Sequence, residues 1–128
     1  MVNRHVLVQN LSRDSSLPIR ARVCASFLCR LRGLTFHRSL AFDEGLLLVH
    51  KKDSRLEASI HMLGVPINLA IVWINSRSEV VDLFLARRWR TVHIPSKPAC
   101  YVLEIAPERL NDFQIGDRIR FEEVDAVV

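Results

Sequence analysis

Residues 68–86 read NLAIVWINSRSEVVDLFLA, and this stretch decides the fold. Leu69 to Ile74 is an unbroken apolar run of strand length, bounded by Asn on both sides. Asn75-Ser76-Arg77-Ser78 is turn chemistry, because short polar side chains there bond their own backbone. Glu79 to Ala86 is rich in Val and Leu again. Two such runs around a polar turn predict a β-hairpin over 68–86 whose first strand is buried on both faces.

Outward from the hairpin, the same period recurs. Ile19, Ala21 and Val23 alternate with Arg20 and Arg22, the signature of a half-buried strand. His5 to Gln9 suits a first strand, and Gly45 leads into the buried run Leu46 to Val49. From Cys100 to Ile105, Tyr101, Leu103 and Ile105 share one face. Ile119 and Phe121 point inward from a last strand over 118–124, with Arg118, Arg120 and Glu122 outward. His50 to Glu57 (HKKDSRLE) reads as a loop and residues 87–99 as irregular. Helical signal is confined to two places. Ser26 offers an N-cap oxygen, Phe27, Leu28, Leu31 and Leu34 form one apolar stripe, and Gly33 is placed to end the turn, so a short helix is expected to plug the open end of a sheet. Pro107 to Phe113 suits one helical turn. Seven or eight short strands with turns between them predict a mainly β protein: an antiparallel β-sandwich or small β-barrel with one or two short capping helices.

A length of 128 residues with 49% hydrophobic and 25% charged side chains fits a single globular domain over 1–128. No apolar run approaches the ~18 residues of a membrane helix, and the N-terminus lacks a signal-peptide core, so a cytoplasmic protein with no membrane partner is expected. Cys24, Cys29 and Cys100 are odd in number and lie in apolar segments; they are expected to be thiols that pack as small hydrophobes. Their spacing lacks the close pairs of a zinc site, and scattered glycines form no phosphate loop, so neither metal nor cofactor is expected. Charge is uneven: residues 1–42 carry seven Arg against one acid, Asp14, a net of +6. That excess marks either an anionic partner or the solvated sides of a strand and a helix.

Five motifs in order carry a family resemblance. They are Arg30-Leu31-Arg32-Gly33-Leu34; Gly45-Leu46-Leu47-Leu48; Val65-Pro66-Ile67-Asn68 running into Leu69-Ala70-Ile71; Ser96-Lys97-Pro98-Ala99-Cys100-Tyr101-Val102-Leu103-Glu104; and Gly116-Asp117. Over about residues 22–121 the chain resembles the Domain of Unknown Function 192 family. The resemblance implies a small β-barrel or sandwich and carries no established reaction. Departures are Asn68 where the family has Asp, Thr35 where Met is frequent, His37-Arg38 where an Arg is usual, and Ser59-Ile60-His61-Met62, which keeps Ile-His and lacks the frequent Trp and Lys.

Polar residues at or near these motifs are the candidate site: Arg30, Arg38, His61, Asn68, Ser96 and Glu104, with Asp117 beside them and Trp73, Trp89 and Tyr101 as flat surfaces on which a sugar ring would stack. Each also has a structural use, such as Arg30 on helix-end carbonyls or Asp117 in its own turn. No nucleophile elbow occurs, and the adjacent pairs Asp43-Glu44 and Glu122-Glu123 point to opposite faces of a strand, so a recognisable catalytic set is missing. The leading expectation is a non-catalytic binding or accessory domain for a small polar ligand, a saccharide among the candidates, or for a protein partner. Its alternatives are an enzyme using His61 with Glu104 or Asp117, and nucleic-acid binding through Arg87-Arg88-Trp89-Arg90, which lacks the aromatic strand pattern of RNA-binding sheets.

Overall fold

The hairpin of residues 68–86 forms at one edge of a large sheet in a computed structural model that describes residues 4–14, 16–35, 37–89 and 92–124. The strands are β1 (His5–Asn10), β2 (Ile19–Cys24), β3 (Glu44–Ser54), β4 (Ile60–His61), β5 (Leu69–Ile74), β6 (Val80–Ala86), β7 (Val92–His93), β8 (Ala99–Ile105) and β9 (Ile119–Val124); α1 covers Phe27–Arg32 and a 3-10 helix Pro107–Asp112. Seven strands form one sheet in the order β6-β5-β8-β3-β2-β1-β9, and β4 pairs with β7 apart from it. Neighbours run antiparallel except β2 and β3, which are parallel. A parallel pair needs a crossover, and the segment between Cys24 and Glu44 that contains α1 supplies it.

The sheet does not close into a barrel. Its edges touch at one corner, through a single bridge between Glu79 and Arg118. Both faces are covered, as in a sandwich-like fold, and this explains why β5 is buried at all six positions. Leu46, Leu48, Ile71, Trp73 and Val102 pack on one face beneath β4 and its flanking loops, with Trp73 Nε1 donating to the Ala58 carbonyl at 2.8 Å. Val8, Ile19, Leu47, Val72, Leu103, Phe113 and Ile119 fill the other.

Three expectations need correction. Phe27, Leu28 and Leu31 of α1 are 69%, 74% and 53% exposed, and only Leu34 beyond the helix enters the core. Periodicity identified an apolar face, but no described element packs against it closely enough to bury it. Second, β3 continues through the HKKDS stretch to Ser54, past an irregularity against β8 between Val49 and Ser54. Third, Cys24 and Cys29 form a disulfide; the turn at Ala25–Ser26 brings their Cα atoms to 5.5 Å, inside the range such a bond requires. Cys100 is the free, buried thiol. No described helix is long and apolar enough to cross a membrane.

Candidate functional site

The site begins with a register. Glu104 lies opposite Leu46 of β3 and Ile71 of β5, so its side chain shares their face in the middle of the sheet. It is only 5% exposed. Burial pushes its carboxyl up to about 7, and no hydrogen bond or cation offsets that rise among the described residues. A carboxyl so placed is expensive to ionise and is divided between its two protonation states near neutrality.

Above it the chain leaves room. Gly33 closes α1 with φ +51°, donates its N–H to the Cys29 carbonyl at 2.9 Å, and would bring a Cβ to 3.7 Å from Glu104 Oε1. Only glycine accepts that backbone readily, so the same residue ends the helix and keeps the approach to the carboxyl clear. The result is a niche of about 30 Å3 bounded by Glu104, Gly33, Arg30, Leu48 and His61. That is space for one water molecule or one hydroxyl-sized group.

His61 contributes from β4. Its Nε2–H donates to the Leu31 carbonyl at 2.9 Å, and its Nδ1 is buried with no partner among the described residues. Arg30 donates through Nη1 to the carbonyls of Ala25 and of Val49, the latter at 3.3 Å, which fixes its guanidinium at the niche wall.

The niche opens into a groove of about 790 Å3 that it shares with Arg30, Leu31, Leu48, Ser59 and His61. Phe27, Leu31 and Leu48 give the groove an apolar wall, and Arg30, Lys51 and Lys52, with Glu57 among them, give it a charged side of net positive sign. His50 also lines it: Nδ1–H donates to the Cys100 carbonyl at 3.2 Å, and burial lowers its pKa, which keeps the ring neutral. His50, Lys51 and Lys52 belong to β3, where the polar character of HKKDSRLE suggests a loop. Extending the alternation Leu46, Leu48 past Val49 finds His50 and Lys52, whereas Lys51 follows the irregularity between Val49 and Ser54.

A family profile spans most of the chain. The Domain of Unknown Function 192, described as "Uncharacterized ACR", matches residues 8–121. The chain belongs to the Domain of Unknown Function 192 family. Among its relatives, a UPF0127 protein of Pyrococcus furiosus is 28% identical over 118 residues, covering 90% of this chain and 97% of that one. A UPF0127 protein of Thermococcus gammatolerans is 34% identical over 99 residues, covering 76% of this chain and 63% of that one. Two solved structures share the fold. A protein of Sinorhizobium meliloti, proposed to be a transcription regulator, superposes with a TM-score of 0.80 at 18% identity over 94% of each chain. A protein of unknown function from Novosphingobium aromaticivorans does so with 0.77 at 22% identity, over 91% of this chain and 83% of that one.

The motif residues divide into two groups. Arg30, His61 and Glu104 converge on the niche. The others do not join them. Asn68 Oδ1 accepts from the Arg88 backbone N–H at 2.9 Å and lines a separate cleft with Pro66 and Glu108. The Ser96 amide donates to Asp82 Oδ2 at 2.8 Å, and Arg38 is exposed. Tyr101 packs against Phe121 with tilted rings, centroids 4.8 Å apart, on the opposite face of the sheet, where its cross-strand partners are Val49 and Ile74. Trp73 is in the core, and Trp89, with φ +61°, is exposed at a turn. The three aromatics therefore form no common stacking surface. Asp117 belongs to a closed network. Burial pushes its carboxyl up, but hydrogen bonds from Asn10, the Gln114 amide and Arg13 outweigh that and hold it below the usual carboxylate value. It takes no part in the niche.

Proposed function

We propose that this chain is a binding domain for a small polar ligand, seated in the groove between α1 and β3–β4 with one hydroxyl in the Glu104 niche. A polyhydroxyl compound of the saccharide class is the chemistry that fits. The observation that carries this is Glu104: a buried carboxyl without a partner among the described residues, facing a space the size of one hydroxyl. A protonated carboxyl donates one hydrogen bond and accepts others, which is what a sugar hydroxyl complements. The apolar wall of Phe27, Leu31 and Leu48 suits the carbon face of such a ring, and Arg30 with Lys51 and Lys52 suits its oxygens or an acidic substituent.

Catalysis by His61 finds less support. A proton-transfer dyad needs the imidazole hydrogen-bonded to a carboxylate, whereas Nε2 is committed to Leu31 and Nδ1 has no described partner. Binding of nucleic acid through residues 87–90 rests on exposed Arg87, Arg88 and Trp89; Arg90 lies outside the described residues.

A thermal-shift panel of sugars, sugar acids and polyols tests the proposal. At about 100 times its dissociation constant a true ligand stabilises the fold by roughly 3 kcal/mol. The folded variant Glu104→Leu, which removes the hydroxyl partner, should not respond. A panel with no response in the wild type, or an equal response in Glu104→Leu, overturns the proposal.

A further inference from the structure

The arginine excess of the first third has a second destination, away from the niche. Arg20 and Arg22 point from β2 toward the same face, two positions apart and therefore roughly 7 Å apart along the strand. His5 stands beside Arg22 in the register of β1, and the loop after α1 brings His37 and Ser39 over the top. These residues line an open cleft of about 340 Å3, whose described lining has only Leu34 in common with that of the Glu104 niche.

Its charge is offset only in part, by Glu44, which lies opposite Arg20 in the register of β2 and β3. Among the described ion pairs none involves Arg20 or Arg22. Arg22 Nη1 makes one weak contact, to Cys29 Sγ at 3.7 Å. Glu44 is the acid in the lining, and its Oε1 accepts from the Ala41 amide at 3.2 Å, an engagement that caps the turn into β3. Two guanidinium groups without a described ion-pair partner, in a concave space with a hydroxyl, two imidazoles and one carboxylate, Glu44, supply the donors that a tetrahedral oxyanion requires.

We propose that this cleft binds the phosphate group of a small phosphorylated molecule. Arg20 and Arg22 hold separate phosphate oxygens, and Ser39 with the two histidines surrounds the remaining ones. The cleft is of metabolite size, at the low end of small-ligand sites, and among the described residues its lining offers no Trp, Tyr or Phe for base stacking. Those two features favour a compact phosphate ester over a nucleic-acid strand.

Binding is measured on the full chain by calorimetry and thermal shift, with ionic strength held constant by sodium chloride. The probes are inorganic phosphate, glycerol 3-phosphate and a 20-nucleotide single-stranded DNA. Saturable binding of glycerol 3-phosphate is expected, tighter than that of inorganic phosphate. Arg20→Gln, at an exposed position, should weaken it about tenfold, and the Arg20→Gln/Arg22→Gln pair by a further factor of about ten, since each charge-assisted bond is worth at least that ratio. Glu44→Gln should strengthen it. An effect matched by sodium chloride, affinity unchanged in Arg20→Gln, or binding of DNA without saturable binding of the ester overturns the proposal. If the double variant fails to fold, Arg20→Gln and Glu44→Gln decide the matter, because they must move affinity in opposite directions.

Discussion

Two buried charged residues of this protein are handled in opposite ways. Arg109, within the 3-10 helix, is fully buried, and each of its three guanidinium nitrogens has a partner. Nε pairs with Asp112 at 2.5 Å, Nη1 donates to the Phe42 carbonyl at 2.9 Å, Nη2 donates to the Leu17 carbonyl, and the guanidinium lies over the Phe42 ring at 4.5 Å. Glu104 is almost as buried and has no described partner. A buried ion that the protein itself satisfies is a structural device; one left unsatisfied beside a cavity destabilises the fold and calls for something outside the chain. The same contrast separates Asp117, whose carboxylate is surrounded by donors, from His61, whose Nδ1 has no partner among the described residues.

The largest test of that contrast is to break the satisfied side. Arg109→Ala removes the guanidinium that ties Leu17, Phe42 and Asp112 together, and it leaves two carbonyls and a carboxylate without their donor. A loss of about 4 kcal/mol is expected in denaturant unfolding. Arg109→Lys should recover little, because an ammonium cannot address three partners spread around a planar fork. If Arg109→Ala lost less than about 1 kcal/mol, the network would be decorative and the distinction between the two residues would fail.

The unsatisfied side should behave in reverse. Glu104 titrates near 7 in the folded protein and near its ordinary 4.5 when unfolded. Between those values the folded state holds a proton that the unfolded chain has released, so stability falls as pH rises through the window and levels off above about 7. Two and a half units correspond to about 3 kcal/mol at full extent. Glu104→Gln carries no such proton. Relative to wild type it should be unchanged near pH 4 and more stable by up to about 3 kcal/mol at pH 8. His50, whose pKa burial lowers, contributes the opposite slope in both proteins and cancels in the difference. A difference between variant and wild type that is flat from pH 4 to 8 would show that Glu104 ionises without penalty, and the niche would lose its significance.

How far these features were legible in the residues follows from how local their causes are. The hairpin of β5 and β6 could be read because strand length, turn chemistry and burial are all written within residues 68–86. Both termini of α1 could be read for the same reason: Ser26 Oγ accepts from the Cys29 amide at 3.2 Å, and Gly33 takes its positive φ. What the helix packs against could not be read, since a stripe says which face is apolar and not whether anything meets it. Arg109 was passed over as part of a helical turn, because its burial depends on carbonyls 67 and 92 positions away. Glu104 entered through the motif ending at Leu103-Glu104, and alternation with Tyr101, Leu103 and Ile105 already placed it on the opposite face. That Gly33 and His61 would meet it there is a tertiary fact.

The smallest effect bears on what holds the roof of the unsatisfied region in place. None of the residues of α1 is buried. The helix is fixed by the Cys24–Cys29 bond, by the Ser26 cap, by Arg30 on the Ala25 and Val49 carbonyls, and by the His61–Leu31 bond. Arg109, by contrast, is held by hydrogen bonds within a packed interior, where a covalent tie would add little. Replacing Cys24 and Cys29 together by Ser releases a loop of six residues, for which chain entropy gives a loss of about 2 kcal/mol. The effect should be concentrated at the roof. Amides of α1 should exchange faster, and the Glu104 carboxyl should titrate lower as water reaches it, while amides around Arg109 keep their protection. Uniformly faster exchange in both regions would mean that the disulfide supports the whole fold and not the helix alone. Unchanged exchange in α1 would mean that its hydrogen bonds suffice, and that the approach to Glu104 stays closed whatever the state of the two sulfurs.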